Sequence, residues 1–222
     1  MGSALMMKKM MYLKRNRKKK LMKMIDEVNN LTDDQDWCWR TMDMDEDADD
    51  LPLDADTLTS KLELVRKQGS MRERLIVALD VDTADRACQL ADRLRGAVGG
   101  FKIGSQLFTR CGPSVVERLV GRGDRVFLDL KFHDIPNTVA GACKSAAQLG
   151  VWMVNVHALG GRAMLEAARE SVASVKRPPL LIAVTVLTSM GAKDLVEVGI
   201  GGDPAAAALR LAKLTQACGL DG

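Results

Sequence analysis

Asp129 and Lys131 stand two residues apart in the otherwise apolar run VFLDLKF, a spacing that suits acid–base chemistry. On a strand, residues two apart project from the same face, about 7 Å apart along the chain, and long side chains can lean together. Aimed into a water-poor cavity, the two groups would perturb each other, because opposite charges favour both ionised forms while desolvation opposes them. Such a lysine can donate a proton to a developing carbanion, and a fixed carboxylate beside it disfavours a carboxylate brought by a substrate. The same two residues suit an ordinary buried ion pair equally well. Asp134 follows in the next loop, where Pro136 restricts the backbone and Thr138 is positioned to cap a helix.

Other polar residues fall at the ends of apolar runs: Asp80 after LIVAL, Lys102 in FKIG, His157 after MVNV, and Thr185 and Thr188 after LLIAV. Taken singly, Asp80 and Lys102 also suit a salt bridge, and Thr188 a plain loop or cap. His133 and His157 have no second His or Cys at ligand spacing, so no metal site is expected. Both are read as hydrogen-bonding supports behind the charged residues.

The elements that must hold these residues are periodic. Short β-branched and apolar runs begin at Leu75, Phe101, Val126, Trp152 and Leu180, about one every 26 residues. Between them, 83–95, 112–120, 138–149 and 161–175 read as amphipathic helices, and 204–218 as one more. This is a βαβ repeat, and hence a parallel sheet covered on both faces. After the first run the turn DVDTADRA lacks G-x-G-x-x-G, which removes support for a dinucleotide-binding sheet. Polar residues at the carboxyl ends of successive strands favour a (β/α)₈ barrel, whose sites are built on that face. Eight such units need roughly 210 residues, whereas 71–222 holds five strands and a helix, so only the first five to six βα units are expected. The glycines of the stretch 191–203 are read as a turn rather than a phosphate cradle.

Residues 1–70 have a different character. Lys8 to Lys23 holds nine basic residues and no acid, while Asp33 to Asp56 holds eleven acids against Arg40 alone, so the overall +3 conceals two opposite blocks. Methionines and leucines between Met6 and Met24 would give a basic amphipathic helix able to lie on nucleic acid or an anionic membrane. The plainer reading is a disordered or appended extension, with Gly69-Ser70 as its junction and a domain starting at Met71. The 47% hydrophobic and 27% charged content excludes a wholly disordered chain. No apolar run reaches the length of a transmembrane helix, and the N-terminus lacks a signal-peptide pattern. Five widely spaced cysteines without C-x-x-C point to a reducing, cytoplasmic compartment.

The stretch DLKFHDIPNT, in register with VALDV, FKIG, LGVWMVNVHALGG and LLIAVTVLTSM, resembles the orotidine 5′-phosphate decarboxylase family from about Arg74 to Gly222. The resemblance implies a cofactor-free barrel enzyme that converts orotidine 5′-monophosphate to uridine 5′-monophosphate in pyrimidine biosynthesis. It implies Lys131 as proton donor to C6, Asp129 beside the departing carboxylate, Lys102 completing a catalytic charge array with Asp129, Lys131 and Asp134 while holding the ribose side, and Asp80 on a ribose hydroxyl. Thr188 and Ile135 would contact the ligand, while Asp134 and Thr138 would reach into the neighbouring subunit of a homodimer. The family's late phosphate loop and arginine have no counterpart here. A 3-keto-gulonate-phosphate decarboxylase shares D-x-K-x-x-D and is the nearest enzymatic rival; FHDIPNT and VTVLTSM favour the nucleotide enzyme. A non-enzymatic alternative is an inactive barrel fragment whose basic arm, residues 8–23, binds nucleic acid or membrane.

Overall fold

The computed structural model describes residues 11–13, 41–42, 73 and 75–222. These fall into two compact units that meet in sequence at Val126 and Phe127.

The first unit is a parallel sheet with helical crossovers. Its strands are β1 (Met11–Leu13), β2 (Thr41–Met42), β3 (Leu75–Ala78) and β4 (Gly100–Gly104). β1 pairs with both β2 and β3, β3 pairs with β4, and every pairing is parallel. Parallel strands require a crossover, supplied between β3 and β4 by α1 (Ala84–Leu94). Thr83 caps α1 by accepting from the Arg86 N–H, and Ala87, Cys88, Ala91 and Leu94 form its buried stripe. Two short helices follow β4, α2 (Ser105–Cys111) and α3 (Ser114–Val120). Ile76, Leu79, Ile103, Leu107 and Leu119 are fully buried here.

The second unit repeats the plan with β5 (Val126–Phe132), α4 (Pro136–Gln148), β6 (Met153–His157), α5 (Gly161–Ala173), β7 (Leu180–Val184), α6 (Ala192–Glu197) and α7 (Pro204–Ala217). A single 3₁₀ turn, Ala158–Gly160, joins β6 to α5. β5 pairs with β6 and β6 with β7, all parallel. Helices α4 and α5 pack side by side, turning inward Val139, Cys143, Ala146 and Ala147 from one and Met164, Leu165, Ala168 and Val172 from the other. Asp203 caps α7 by accepting from the Ala205 and Ala206 N–H groups, with Pro204 at the first helical position. Asp221 and Gly222 run along β7: the Asp221 N–H donates to the Leu181 carbonyl and the Ala183 N–H to the Gly222 carbonyl, each at 2.8 Å.

All five expected strands from Leu75 onward are present, within a residue of their expected starts. Three local readings are corrected. Met11–Leu13, inside the stretch read as a disordered or appended extension with a basic helix as the alternative, is a strand, because its backbone supplies partners to the edge of β3. The rest of that stretch, and with it any contact of residues 8–23 with nucleic acid or membrane, lies outside the described residues. Helix α2 was absent from the sequence reading because seven residues are too few to show a helical period. The stretch 191–203 holds α6, whose first turn is closed by the Asp194 carboxylate accepting from the Gly191 N–H at 2.6 Å.

Leu165 has no exposed surface. Leu165→Ala is expected to lower the unfolding free energy by about 2 to 5 kcal/mol in urea titrations, through lost apolar burial and an incompletely collapsed cavity. A loss under about 1 kcal/mol would show that α5 is not tightly packed at this point.

Candidate active site

In the first unit one charged residue lies just past the end of β3 and another within β4. Asp80 is two residues beyond β3 and Lys102 is the middle residue of β4. The Leu79 N–H donates to the Lys102 carbonyl at 2.9 Å, which holds the two strand ends in register. Lys102 Nζ lies 3.8 Å from Asp80 Oδ1, with the lysine side chain 6% exposed and the aspartate 29%. An ammonium buried to this degree is retained only where carboxylates or dipoles replace its water. Gly104 keeps the space above this pair open, since a Cβ there would stand 3.2 Å from Lys102 Nζ and 3.7 Å from Asp80 Oδ1.

The second unit holds Asp129 and Lys131 on β5. Lys131 Nζ donates to Asp129 Oδ1 at 2.6 Å, a charge-assisted hydrogen bond, with Asp129 buried and Lys131 partly exposed. The contact is not produced by regular alternation, as the sequence reading had it. Leu128 pairs with Val154 and Phe132 with Val156, so four steps along β5 oppose two along β6 and the strand bulges between them. Lys131 adopts φ +52°, the left-handed region, and is the non-glycine residue that does so among the described residues. Such a conformation costs about 1 to 3 kcal/mol and persists only where the surroundings impose it.

Asn155, which the sequence reading passed over, lies opposite the bulge. It is 2% exposed, its Oδ1 accepts from the Lys131 N–H at 2.8 Å, and its Nδ2 donates to Asp129 Oδ1 at 2.7 Å. The signal available in the sequence was an asparagine in the apolar strand MVNVH, where that residue is unfavourable unless its amide is satisfied.

His157 closes β6 two residues after Asn155, and its ring lies 5.4 Å from that of His133 at a 37° tilt. Its Nδ1 is buried without a hydrogen-bond partner among the described residues, so the supporting hydrogen bond expected of His157 is not made at that atom. Asp134 is exposed, its Oδ1 accepting from the adjacent Ile135 N–H at 2.6 Å, and Ile135 is itself 67% exposed. Thr138 is exposed within the first turn of α4 and is not its cap. The helix starts at Pro136 with Ile135 as the capping position, since proline needs no N–H partner there. Thr188 is exposed in the turn after β7. The structure therefore joins Asp80 to Lys102 and Asp129 to Lys131, and leaves Asp134, Ile135, Thr138 and Thr188 open to solvent.

Among the described residues no three His, Cys, Asp or Glu side chains converge as metal ligands would. Cys88, Cys111, Cys143 and Cys218 are free thiols, and burial pushes Cys143 up to about 12, leaving it protonated and unreactive at neutral pH. No helix among the described residues is long and apolar enough to cross a membrane.

Parallel strands alternating with helices place the chain in the α/β class, of the (β/α)₈ barrel type. Residues 73–222 match the model of the orotidine 5′-phosphate decarboxylase / HUMPS family, and the chain belongs to that family. It is 62% identical over 157 residues to the orotidine 5′-phosphate decarboxylase of Chromobacterium violaceum, an alignment covering 70% of this chain and 64% of that protein. Against the Halorhodospira halophila enzyme it is 62% identical over 149 residues, 67% of this chain and 63% of that one. The chain thus spans a little under two-thirds of the length of these curated relatives. The solved orotidine 5′-phosphate decarboxylase of Lactobacillus acidophilus superposes with a TM-score of 0.61 at 37% identity, covering 66% of this chain and 68% of the other.

Burial holds the His157 imidazole below its ordinary value of 6.5, with His133 and Lys131 adding to the effect and Asp129 opposing it. A base with a lowered folded pKa binds fewer protons when native than when unfolded. Stability is therefore expected to fall as pH drops through 6.5, and to level off only below the folded pKa. Chemical denaturation at a series of pH values should show this slope in the wild-type chain and a flatter one in His157→Gln. An equal slope in both would assign the titration to another group.

Proposed function

We propose that this chain carries the catalytic lysines and aspartates of an orotidine 5′-monophosphate decarboxylase, forming uridine 5′-monophosphate and carbon dioxide in de novo pyrimidine biosynthesis. The observation that carries the reading is the 2.6 Å bond between Lys131 Nζ and Asp129 Oδ1, on a strand inside the family match. The family relationship supports the substrate.

In this reading the C6–carboxylate bond breaks, carbon dioxide leaves, and the electron pair remains on C6. The Asp129 carboxylate lies beside the substrate carboxylate and disfavours it before cleavage, a repulsion that vanishes as neutral carbon dioxide departs. The Lys131 ammonium stabilises the developing carbanion and delivers its proton to C6. Because the donor is already held by Asp129, little reorganisation is needed as charge develops. Asp80 and Lys102 hold the ribose side, and Thr188 contacts the ligand. The chemistry asks for no organic cofactor or metal, since lysine and aspartate supply both the charge and the proton. The free thiols suit a cytoplasmic protein.

Asp134 and Thr138 serve the pocket of a second subunit in a homodimer, and Ile135 contacts the ligand. The exposure of Asp134 and Thr138 on either side of the start of α4 supports the shared pocket.

Two experiments test the reading, each using the chain joined to the portion of the Chromobacterium violaceum relative that it does not cover. Lys131→Ala should lower turnover of orotidine monophosphate, followed by ultraviolet absorbance, by about a hundred- to ten-thousandfold with an intact thermal transition. Near wild-type turnover would make Lys131 structural. Chains carrying Lys131→Ala and Asp134→Ala should each be nearly inactive, yet recover about a quarter of wild-type activity on subunit exchange, because random pairing leaves one complete pocket in half of the dimers. No recovery after demonstrated exchange would confine the site to one subunit.

A further inference from the structure

We infer that Asn155 is a positioning residue for the acid–lysine pair, setting the direction of the Asp129 carboxylate and the backbone conformation from which Lys131 extends. Three observations converge on it. Asn155 is 2% exposed, so an unsatisfied amide there would be costly, and the bonds at 2.7 and 2.8 Å satisfy both its nitrogen and its oxygen. It is the single β6 residue between Val154 and Val156, opposite the bulge from Leu128 to Phe132, where ladder pairing is interrupted. The residue whose N–H it receives is the left-handed Lys131.

The amide is matched to its two neighbours. The Lys131 N–H needs an acceptor and the Asp129 carboxylate needs a donor, and these groups belong to residues two apart on the bulged strand β5. A carboxamide has one of each on adjacent atoms, so one side chain ties the lysine's main chain to the aspartate's side chain. Lys131 Nζ closes the circuit by donating to the same Oδ1. Aspartate at position 155 would keep the acceptor but set a second carboxylate against Asp129. Leucine would fill the space but leave both polar groups unmet. Alternation along β6 places His157 on the same face as Asn155, which accounts for Lys131 and Asp129 both acting on its titration. His133 in turn lies against His157, their ring centroids 5.4 Å apart.

The effect on catalysis rests on the decarboxylase reading, whereas the effect on geometry does not. Two measurements separate them. In the 222-residue chain, hydrogen exchange of the Lys131 amide and the carbon-13 titration of the Asp129 carboxyl report the geometry. In the chain extended as above, kcat and KM against pH report the chemistry. Asn155→Leu should speed Lys131 amide exchange at least about fivefold, the equivalent of one net hydrogen bond, and displace the Asp129 titration. It should lower kcat about a hundredfold with KM changed far less, as expected for misplaced reacting groups in an intact binding pocket. Asn155→Asp, closest in shape, should keep the amide protected yet move the acid limb of the kcat profile to higher pH, because two neighbouring carboxylates resist joint ionisation. If Asn155→Leu does not fold, the Asp129 titration and the pH profile of Asn155→Asp decide the matter. Wild-type exchange and Asp129 titration in a folded Asn155→Leu, or a wild-type Asp129 titration in Asn155→Asp, would overturn the positioning role, as would wild-type kcat and pH profile in an active enzyme. Absence of decarboxylation by the extended chain without substitutions would overturn the decarboxylase reading instead, with exchange and titration still deciding the place of Asn155.

Discussion

A single carboxylate oxygen, Oδ1 of Asp129, is the point on which the candidate site of the second unit depends. It accepts from Lys131 Nζ and from Asn155 Nδ2, while the amide that serves it also receives the Lys131 N–H. A buried carboxylate without such donors would take up a proton or drive the strand apart, because a charge out of water is costly unless it is paired and hydrogen-bonded. The bulge in β5, the left-handed lysine and the asparagine in β6 are therefore parts of one solution. Each is unfavourable alone, and together they hold an ammonium and a carboxylate in contact at a fixed angle.

The parallel sheet makes this arrangement possible. β6 is covered on both faces: Met153, Val154, Asn155 and Val156 are all buried, and a polar side chain placed there is shielded from competing water. In the second unit the crossover helices α4 and α5 bring β5, β6 and β7 in with the same polarity, which puts His157 at the end of β6 and Asp134 just beyond β5. Packing of α4 on α5, through alanines and Met164, Leu165 and Val172, supplies the stability against which the strained lysine is maintained. The loops carry the exposed groups, Asp134, Ile135 and Thr188, where an approaching molecule can meet them.

Much was legible in the chain itself. The recurrence of apolar runs about every 26 residues determined the five strands from Leu75 and the parallel α/β class, since a period of that length leaves room for one helix per strand. The charges of DLKF marked the acid–lysine pair that the structure brings into contact, because charged side chains are rare inside apolar strands unless they are paired. Short elements were not legible: α2 has seven residues and α6 six, too few for a helical stripe, and the strand at Met11–Leu13 depends on a partner more than sixty residues away. Tertiary structure alone decided the bulge, the left-handed Lys131, the role of Asn155 and the start of α4 at Pro136 rather than Thr138. Periodicity is a property of neighbours in sequence and survives in a string of letters. The register of one strand against another, and the hydrogen bond that closes a gap between them, exist only once distant residues have been brought together.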